Sequence, residues 1–204
     1  MINLRTRFAF AALAVLLGAC ASKGPTPAHF DFGPLPQQAA AAAPAVGPAV
    51  GPIIVADVSG PASLDTERMQ YRLLYADARQ SRPYAYNQWT ATPLQLMTQR
   101  LKARIAQSGV KVLSTTDAAT GATLLRTELD DFAQNFDTAT ASHGAISLRA
   151  SVFRAHKLVD QKTFSRSVPA PSADAAGGAR ALADAADALS ADVLAWLATL
   201  PAQP

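Results

Sequence analysis

The sequence contains a single cysteine, Cys20, and its position restricts the chemistry that its thiol can perform. Two arginines lie near the start, an apolar run follows over residues 8–17, and Gly18 and Ala19 come directly before the cysteine. A basic, an apolar and a small-residue segment in this order is typical of a secretory signal peptide. Because a membrane-spanning helix needs roughly 20 apolar residues, the run is too short to span, and we predict a cleaved signal peptide over residues 1–19.

The residues before the cysteine predict how it is modified. Leu17, Gly18, Ala19 and Cys20 resemble the lipobox of bacterial lipoproteins, although glycine stands where alanine, serine, threonine or valine is more common. In such proteins the cysteine becomes the first residue and is acylated on sulfur and usually on nitrogen. Several acyl chains hold a protein durably on a bilayer, at about 0.8 kcal/mol per buried methylene. We predict that Cys20 is the lipid anchor; the alternative is an ordinary signal peptide with an incidental cysteine.

The charge and cysteine content of the mature chain exclude several functions. An acylated Cys20 leaves no cysteine for a disulfide or a catalytic thiol. Removal of residues 1–19 takes away two basic residues, which lowers the formal net charge from +3 to +1. Since no cluster of lysine and arginine with interleaved aromatic residues follows, nucleic acid is not predicted as a partner.

The remaining polar residues predict neither an enzyme nor a metal or cofactor site. The chain lacks a P-loop, a GxGxxG fingerprint, a nucleophile elbow and an HExxH helix. His29, His143 and His156 do not have metal-ligand spacing, and the last two are expected in loops at opposite ends of one strand. The adjacent Asp130 and Asp131 are expected on opposite faces of a strand. A dispersed Ser-His-Asp triad stays open, because such triads are recognised by geometry.

An aromatic stretch at residues 82–97 is a candidate binding surface. Tyr84, Tyr86 and Trp89 come directly before an amphipathic helix that begins at Pro93. These rings could lock the helix onto a sheet as core residues, or could line a groove for an apolar ligand or a protein partner. The two interpretations are compatible, because one side of an aromatic cluster can stay open to solvent.

The hydrophobic pattern predicts the elements that position these residues. Strands are predicted at 29–32, 52–60, 67–75, 110–113, 122–132 with a bulge before Phe132, 145–153 and 158–168; helices are predicted from Pro93 to Gly109 and over 179–200. A turn is expected near residues 157–161. Successive strands with short links favour an antiparallel sheet. We therefore predict an α+β two-layer sandwich, with a mainly antiparallel sheet and two helices packed on one face.

The same pattern divides the chain into segments. Residues 20–27 are predicted to be an acylated tether that reaches at most about 30 Å. Residues 28–200 are predicted to form one domain. Within it, residues 34–52 are rich in alanine, proline and glycine, and repeated prolines forbid a continuous helix, so we expect a disordered loop there.

Most of the mature chain resembles the ABC-type transport auxiliary lipoprotein family, which includes the paraquat-inducible protein C lipoproteins, and the resemblance is strongest over residues 84–113. The family has an aromatic residue, a tryptophan and a Pro-Leu start to a helix that ends in glycine. The matching positions here are Tyr86, Trp89, Pro93, Leu94, Leu101 and Gly109. The lipobox at Cys20 and the closing helix also fit, whereas the Ala/Pro-rich insertion departs from the family's compactness.

The resemblance implies a non-enzymatic accessory protein of the cell envelope. Such lipoproteins work beside an ABC transporter permease and ATPase and a mammalian-cell-entry (MCE) domain protein, in systems that move phospholipid or other apolar molecules between membranes. Ala21 and Ser22 are not the aspartate that favours inner-membrane retention, which points to the periplasmic face of the outer membrane. Phospholipid and a second copy of the chain are further candidate partners. The alternative is an assembly lipoprotein that partners an outer-membrane barrel protein.

The replacement Cys20→Ser tests the anchor. Serine offers no thiol for acylation, so we expect radiolabelled palmitate incorporation to fall to background and the protein to leave the membrane fraction. Ser22→Ala, two residues away, is the matched control and should keep both label and fractionation. A Cys20→Ser protein that is cleaved and fractionates like the wild type would contradict the prediction.

Overall fold

The computed structural model describes residues 26–36, 51–117 and 121–201, so the predicted signal, Cys20 and most of the predicted loop at 34–52 lie outside the described residues. The described part contains eight strands and two α-helices. The strands are β1 (Ala28–Phe30), β2 (Ile53–Val55), β3 (Arg68–Leu73), β4 (Asp77–Trp89), β5 (Val112–Leu113), β6 (Thr123–Phe136), β7 (Ser142–Arg154) and β8 (Lys157–Pro169). The helices are α1 (Pro93–Gln107) and α2 (Ala175–Thr199), and a 3-10 turn spans Ala62–Leu64.

Strand β6 is the centre of the sheet. Along one edge it pairs antiparallel with β7 over its whole length, and β7 pairs antiparallel with β8. Along the other edge β2 pairs parallel with its first residues and β3 parallel with its last. Beyond β3 the sheet continues with β4 and then β1, and beyond β2 it continues with β5. The long pairings are antiparallel, as predicted, whereas the short parallel pairings were not foreseen.

Both helices cover one face of the sheet, which confirms the predicted α+β two-layer sandwich. The core side of β6 carries Leu125 and Leu129, and that of β7 carries Leu148 and Ala150, all fully buried. The buried stripe of α2 packs against these strands, and α1 packs beside α2. A single hydrophobic core therefore lies between the sheet and the helix layer.

Helix α1 begins and ends as predicted, for identifiable reasons. The Thr92 hydroxyl accepts the backbone N–H of Gln95 at 3.3 Å, and the Gln95 side chain returns a bond to the Thr92 backbone N–H at 3.3 Å. This reciprocal capping satisfies two N–H groups that a helix start leaves unpaired. Pro93 follows at the first helical position. Gly109, with φ of 87°, takes the left-handed conformation that closes the helix.

Strand β4 was not predicted from the sequence. Its pairing with β3 moves from Arg68↔Gln88 to Gln70↔Pro83, so several residues of β4 bulge out between two residues of β3. Such a bulge breaks the alternation of apolar and polar residues by which a strand is recognised. The exposed, polar first half of β4 adds no apolar signal of its own.

Two predicted boundaries are also wrong. The turn between β7 and β8 lies at Ala155 and His156 rather than near 157–161, and both residues have positive φ, 45° and 63°. Two successive positive φ values are typical of the two-residue turn that connects the strands of a β-hairpin. Such turns usually contain glycine, and this one contains none, so the sequence does not indicate its position. Helix α2 begins at Ala175 rather than 179, because the Asp174 carboxylate caps it by accepting the Gly177 N–H at 2.7 Å.

A buried charge cluster joins the two helices to the chain before the Ala/Pro-rich stretch. The Asp187 carboxylate of α2 lies 3.2 Å from Arg100 and 3.5 Å from Arg104 of α1. Burial raises the pKa of Asp187, and the two arginines oppose that shift. The second amino group of Arg100 donates to the carbonyl oxygens of Phe32 and Gly33, at 2.5 and 2.9 Å. Arg100 thus fixes the segment after β1 against α1.

The close approach of α2 to β7 generates a stability prediction. A Cβ on Gly144 would lie 2.7 Å from the backbone nitrogen of Leu182 and 2.8 Å from the carbonyl carbon of Ala181. Backbone atoms of a packed helix cannot yield as a flexible side chain can, so Gly144→Ala is expected to cost about 1–3 kcal/mol of unfolding free energy. Chemical denaturation measures the loss.

The control for Gly144→Ala is Ser165→Ala on the neighbouring strand. Ser165 is exposed on the face away from the helices, so its replacement should stay within about 0.5 kcal/mol of the wild type. A Gly144→Ala midpoint equal to that of the control would show that the helix and strand do not touch as closely as described.

Candidate functional surfaces

The three predicted aromatic residues lie in very different environments. Trp89, at the end of β4, is 1% exposed. Its ring makes edge-to-face contacts with Phe32 and Phe132, at centroid distances of 5.9 and 5.5 Å. It therefore belongs to the core, where aromatic rings contribute both buried area and directional packing.

Tyr84 is half-buried and hydrogen-bonded to a polar side chain in the core. Its ring packs on Tyr71 at 4.6 Å, and its hydroxyl donates to the Gln134 side-chain oxygen at 2.8 Å. Burial raises the pKa of the Tyr84 hydroxyl well above its ordinary value, with smaller contributions from Tyr71 and Asp174. Tyr84 is therefore a neutral hydrogen-bond donor at every physiological pH.

Gln134 is fully buried, and both the nitrogen and the oxygen of its side-chain amide are hydrogen-bonded. Its nitrogen donates to the Ser142 hydroxyl at 2.8 Å and to the Asp174 carbonyl at 3.0 Å, while its oxygen accepts from Tyr84. A buried amide is costly unless it is satisfied, and here it connects β4, β6, β7 and the start of α2. Gly178 makes room for it, because a Cβ there would lie 1.9 Å from the amide oxygen. This network is structural and leaves no group free for a ligand.

Tyr86, in contrast, is 51% exposed on the bulged part of β4. Two further exposed apolar side chains, Leu74 and Tyr75, lie at the turn between β3 and β4. Of the three predicted aromatic residues, only Tyr86 is exposed. Leu17, Gly18, Ala19 and Cys20 lie outside the described residues.

The histidines do not meet in one place. His29 is exposed on β1, and His156 is exposed in the β7–β8 turn. His143 lies within β7 rather than in the predicted loop, and its ring nitrogen contacts the Asp137 carboxylate at 2.8 Å. The described ranges contain no group of histidine, cysteine and carboxylate side chains that could hold a metal ion.

Asp130 and Asp131 lie on the same face of β6, contrary to the expectation of opposite faces. The register of β6 shifts between Leu129 and Asp131, and both Leu129 and Phe132 point into the core. The two residues between them therefore both face away from the helices. Asp131 makes a two-pronged ion pair with Arg72, at 2.7 and 3.0 Å, which occupies its carboxylate.

A second apolar cluster lies on the face of the sheet that the helices leave open. Its members are neighbours in register on five adjacent strands, β5, β2, β6, β7 and β8: Leu113, Ile54, Leu124, Phe153 and Leu158. None of these side chains is part of the hydrophobic core, and Leu158 is 55% exposed. We call these five residues the open-face row.

The open-face row borders a cleft of about 590 Å³ at one end of the sheet. Ile54, Leu124 and Phe153 supply its apolar walls, and Arg126 and His156 supply its polar side chains. The Arg126 guanidinium lies 5.3 Å from the centre of the Phe153 ring. This site was not predicted from the sequence, because each strand contributes only one apolar residue to it and the pairing register brings these residues together.

A family model described as the ABC-type transport auxiliary lipoprotein component matches residues 34–194. The chain belongs to this family. The auxiliary lipoprotein is thus a lipoprotein component of ABC-type transport with a membrane-anchored place in the cell envelope. In the part of the chain that the structure describes, no helix is long and apolar enough to span a membrane.

Solved structures share the fold of the auxiliary lipoprotein. A Xanthomonas campestris protein is 18% identical with a TM-score of 0.64, covering 85% of this chain and 92% of that one. An uncharacterised protein is 15% identical with a TM-score of 0.66, covering 85% and 99%. A hypothetical protein from Chlamydia trachomatis is 10% identical with a TM-score of 0.50, covering 74% and 98%. The sequence matches no curated protein.

The environments of Trp89 and Tyr86 predict opposite effects of truncation. Trp89→Ala empties a fully enclosed core site and is expected to cost about 3–5 kcal/mol of unfolding free energy. Tyr86→Ala removes a half-exposed ring and is expected to change stability by about 0.5 kcal/mol or less. Thermal unfolding measures both. A Trp89→Ala protein that keeps its melting temperature while it loses a partner would make Trp89 a contact residue instead.

Proposed function

We propose that the protein is a non-enzymatic accessory lipoprotein of an MCE-type ABC transport system, anchored through Cys20 to the periplasmic face of the outer membrane. In this role it docks with an MCE-domain protein, and through it with the permease and ATPase, during the movement of phospholipid or other apolar molecules across the envelope. The observation that carries the proposal is the match of the transport-auxiliary family to residues 34–194, most of the chain.

The distribution of polar side chains is consistent with a protein that performs no chemistry of its own. Two partly buried carboxylates are held in ion pairs, Asp131 of β6 by Arg72 and Asp187 of α2 by two arginines. The buried Gln134 amide is fully hydrogen-bonded within the fold. These groups stabilise the domain, so docking is left to exposed side chains.

Tyr86 is the side chain that we assign to docking. Exposed aromatic rings are favoured in protein interfaces, because they bury a large area at a small entropic cost. The ring lies on the bulge of β4, next to the strand β1 that the tether leads into. A partner that contacts Tyr86 would therefore bind close to the first strand of the folded domain.

Affinity purification of a tagged, membrane-anchored full chain tests the proposal. We expect an MCE-domain protein or its permease to co-purify, with identification by mass spectrometry. Tyr86→Ala should reduce the yield of this partner at unchanged expression, since it removes the exposed ring. Phe30→Leu, a mild change at a partly buried ring, serves as a control that keeps Tyr86 intact.

The other outcomes of the purification discriminate between functions. An outer-membrane barrel protein in the eluate without any transporter subunit would favour an assembly role and overturn the proposal. Absence of every transporter subunit, together with normal envelope permeability in a deletion strain, would overturn it as well.

A further inference from the structure

The open-face row creates an apolar surface that folding alone does not explain. Ile53 and Val55 point into the core, so Ile54 between them must point away, and the same alternation places Leu124 and Phe153 outward. These side chains gain nothing from the helix layer. Contiguous exposed apolar residues on a soluble domain commonly mark a binding site.

The shape of the site favours a small ligand over a flat contact. The row borders a concave cleft of about 590 Å³, within the roughly 300–1,000 Å³ range of sites for small molecules. The turn at Ala155 and His156 forms one end of this cleft, and Leu158 extends the apolar surface beyond it. A cleft of this volume with apolar walls is large enough to hold a hydrocarbon chain.

The charge at the cleft is positive. Its lining includes Arg126 and His156 and no carboxylate. Glu128, two residues along the same strand and face, is hydrogen-bonded to Arg149, so its charge is already matched. Arg126 forms no ion pair with any described residue, and its guanidinium is held over the Phe153 ring. A guanidinium beside an apolar wall is suited to a carboxylate, which it can bind with two parallel hydrogen bonds.

We propose that this cleft binds the hydrocarbon chain of a fatty acid along the open-face row, with the carboxylate on Arg126. The inference deepens the proposed function, because it gives an apolar molecule a site on this chain itself. Ile54, Leu124 and Phe153 would contact the hydrocarbon, and Leu158 would cover its far end. Tyr86 and the aromatic stretch take no part in this site.

Photolabelling of the full chain tests the proposal. The lipidated protein is reconstituted in phosphatidylcholine vesicles with a 16-carbon fatty acid that carries a diazirine in its chain. After irradiation, peptide mass spectrometry locates the label. We expect labelled peptides from β6, β7 and the start of β8, and labelling by the methyl ester of the same probe should be about five-fold weaker, because the ester has no charge for Arg126.

Matched variants separate the site from general adsorption to the protein. Arg126→Gln should reduce labelling of these peptides about five-fold, whereas Arg82→Gln, at a partly exposed arginine that contacts Gln80, should not. Leu158→Ser should reduce labelling at least about two-fold, whereas Leu74→Ser, also at an exposed leucine, should not. All four changes are at partly or fully exposed side chains, and circular dichroism verifies the fold.

Three results would overturn the proposal: equal labelling by acid and ester, labelling that Arg126→Gln leaves unchanged, or labelling by a diazirine phosphatidylglycerol without labelling by the fatty acid. The last would assign the cleft to a two-chain lipid. The result is independent of the transporter: loss of co-purification with persistent photolabelling would overturn the proposed function alone, and the converse would overturn this inference alone.

Discussion

Burial of one face of β6 beneath the helix layer is the interaction on which the rest of the structure depends. This strand pairs with β7 on one edge and successively with β2 and β3 on the other, so the two halves of the sheet are joined through it. Its core face joins Leu125, Leu129 and Phe132 to the helices. The bulge between Leu129 and Asp131 keeps that face apolar across a change of register. Without it, the second half of β6 would turn its apolar residues to solvent.

The sequence was sufficient for the features that depend on local periodicity. Thr92, Pro93 and Gly109 mark the ends of α1, and alternation in β7 marks a half-buried strand. The sequence was insufficient for features that depend on contacts between segments far apart in the chain. The pairing of β4 with β3 contains a bulge that has no composition signal. Gln134 is recognisable as a buried amide only when Tyr84, Ser142 and Asp174 surround it.

The candidate surfaces divide in the same way. An aromatic cluster in the sequence was enough to draw attention to residues 84–89, but burial separates Trp89 in the core from Tyr86 on the surface. The open-face row cannot be recognised from the sequence of any one strand, because each strand contributes a single residue to the row. It exists because the registers of five strands place those residues side by side. Pairing register is a tertiary property, and neither composition nor hydropathy of one strand specifies it.

Strand β8 has an outer edge on which no described strand pairs, and a strand edge of 13 residues is a template for aggregation. Its core-side positions carry charged residues that pair with apolar positions of β7: Asp160, Lys162 and Arg166. Each charge is accommodated locally, by the Trp196 indole N–H, the Phe164 ring and the Asp192 carboxylate respectively. Inward-pointing charges disfavour the pairing of a further strand with a sheet edge. Two of these three charges have their partners, Trp196 and Asp192, on helix α2, so the helix that covers the core also keeps charged side chains in place along the exposed edge.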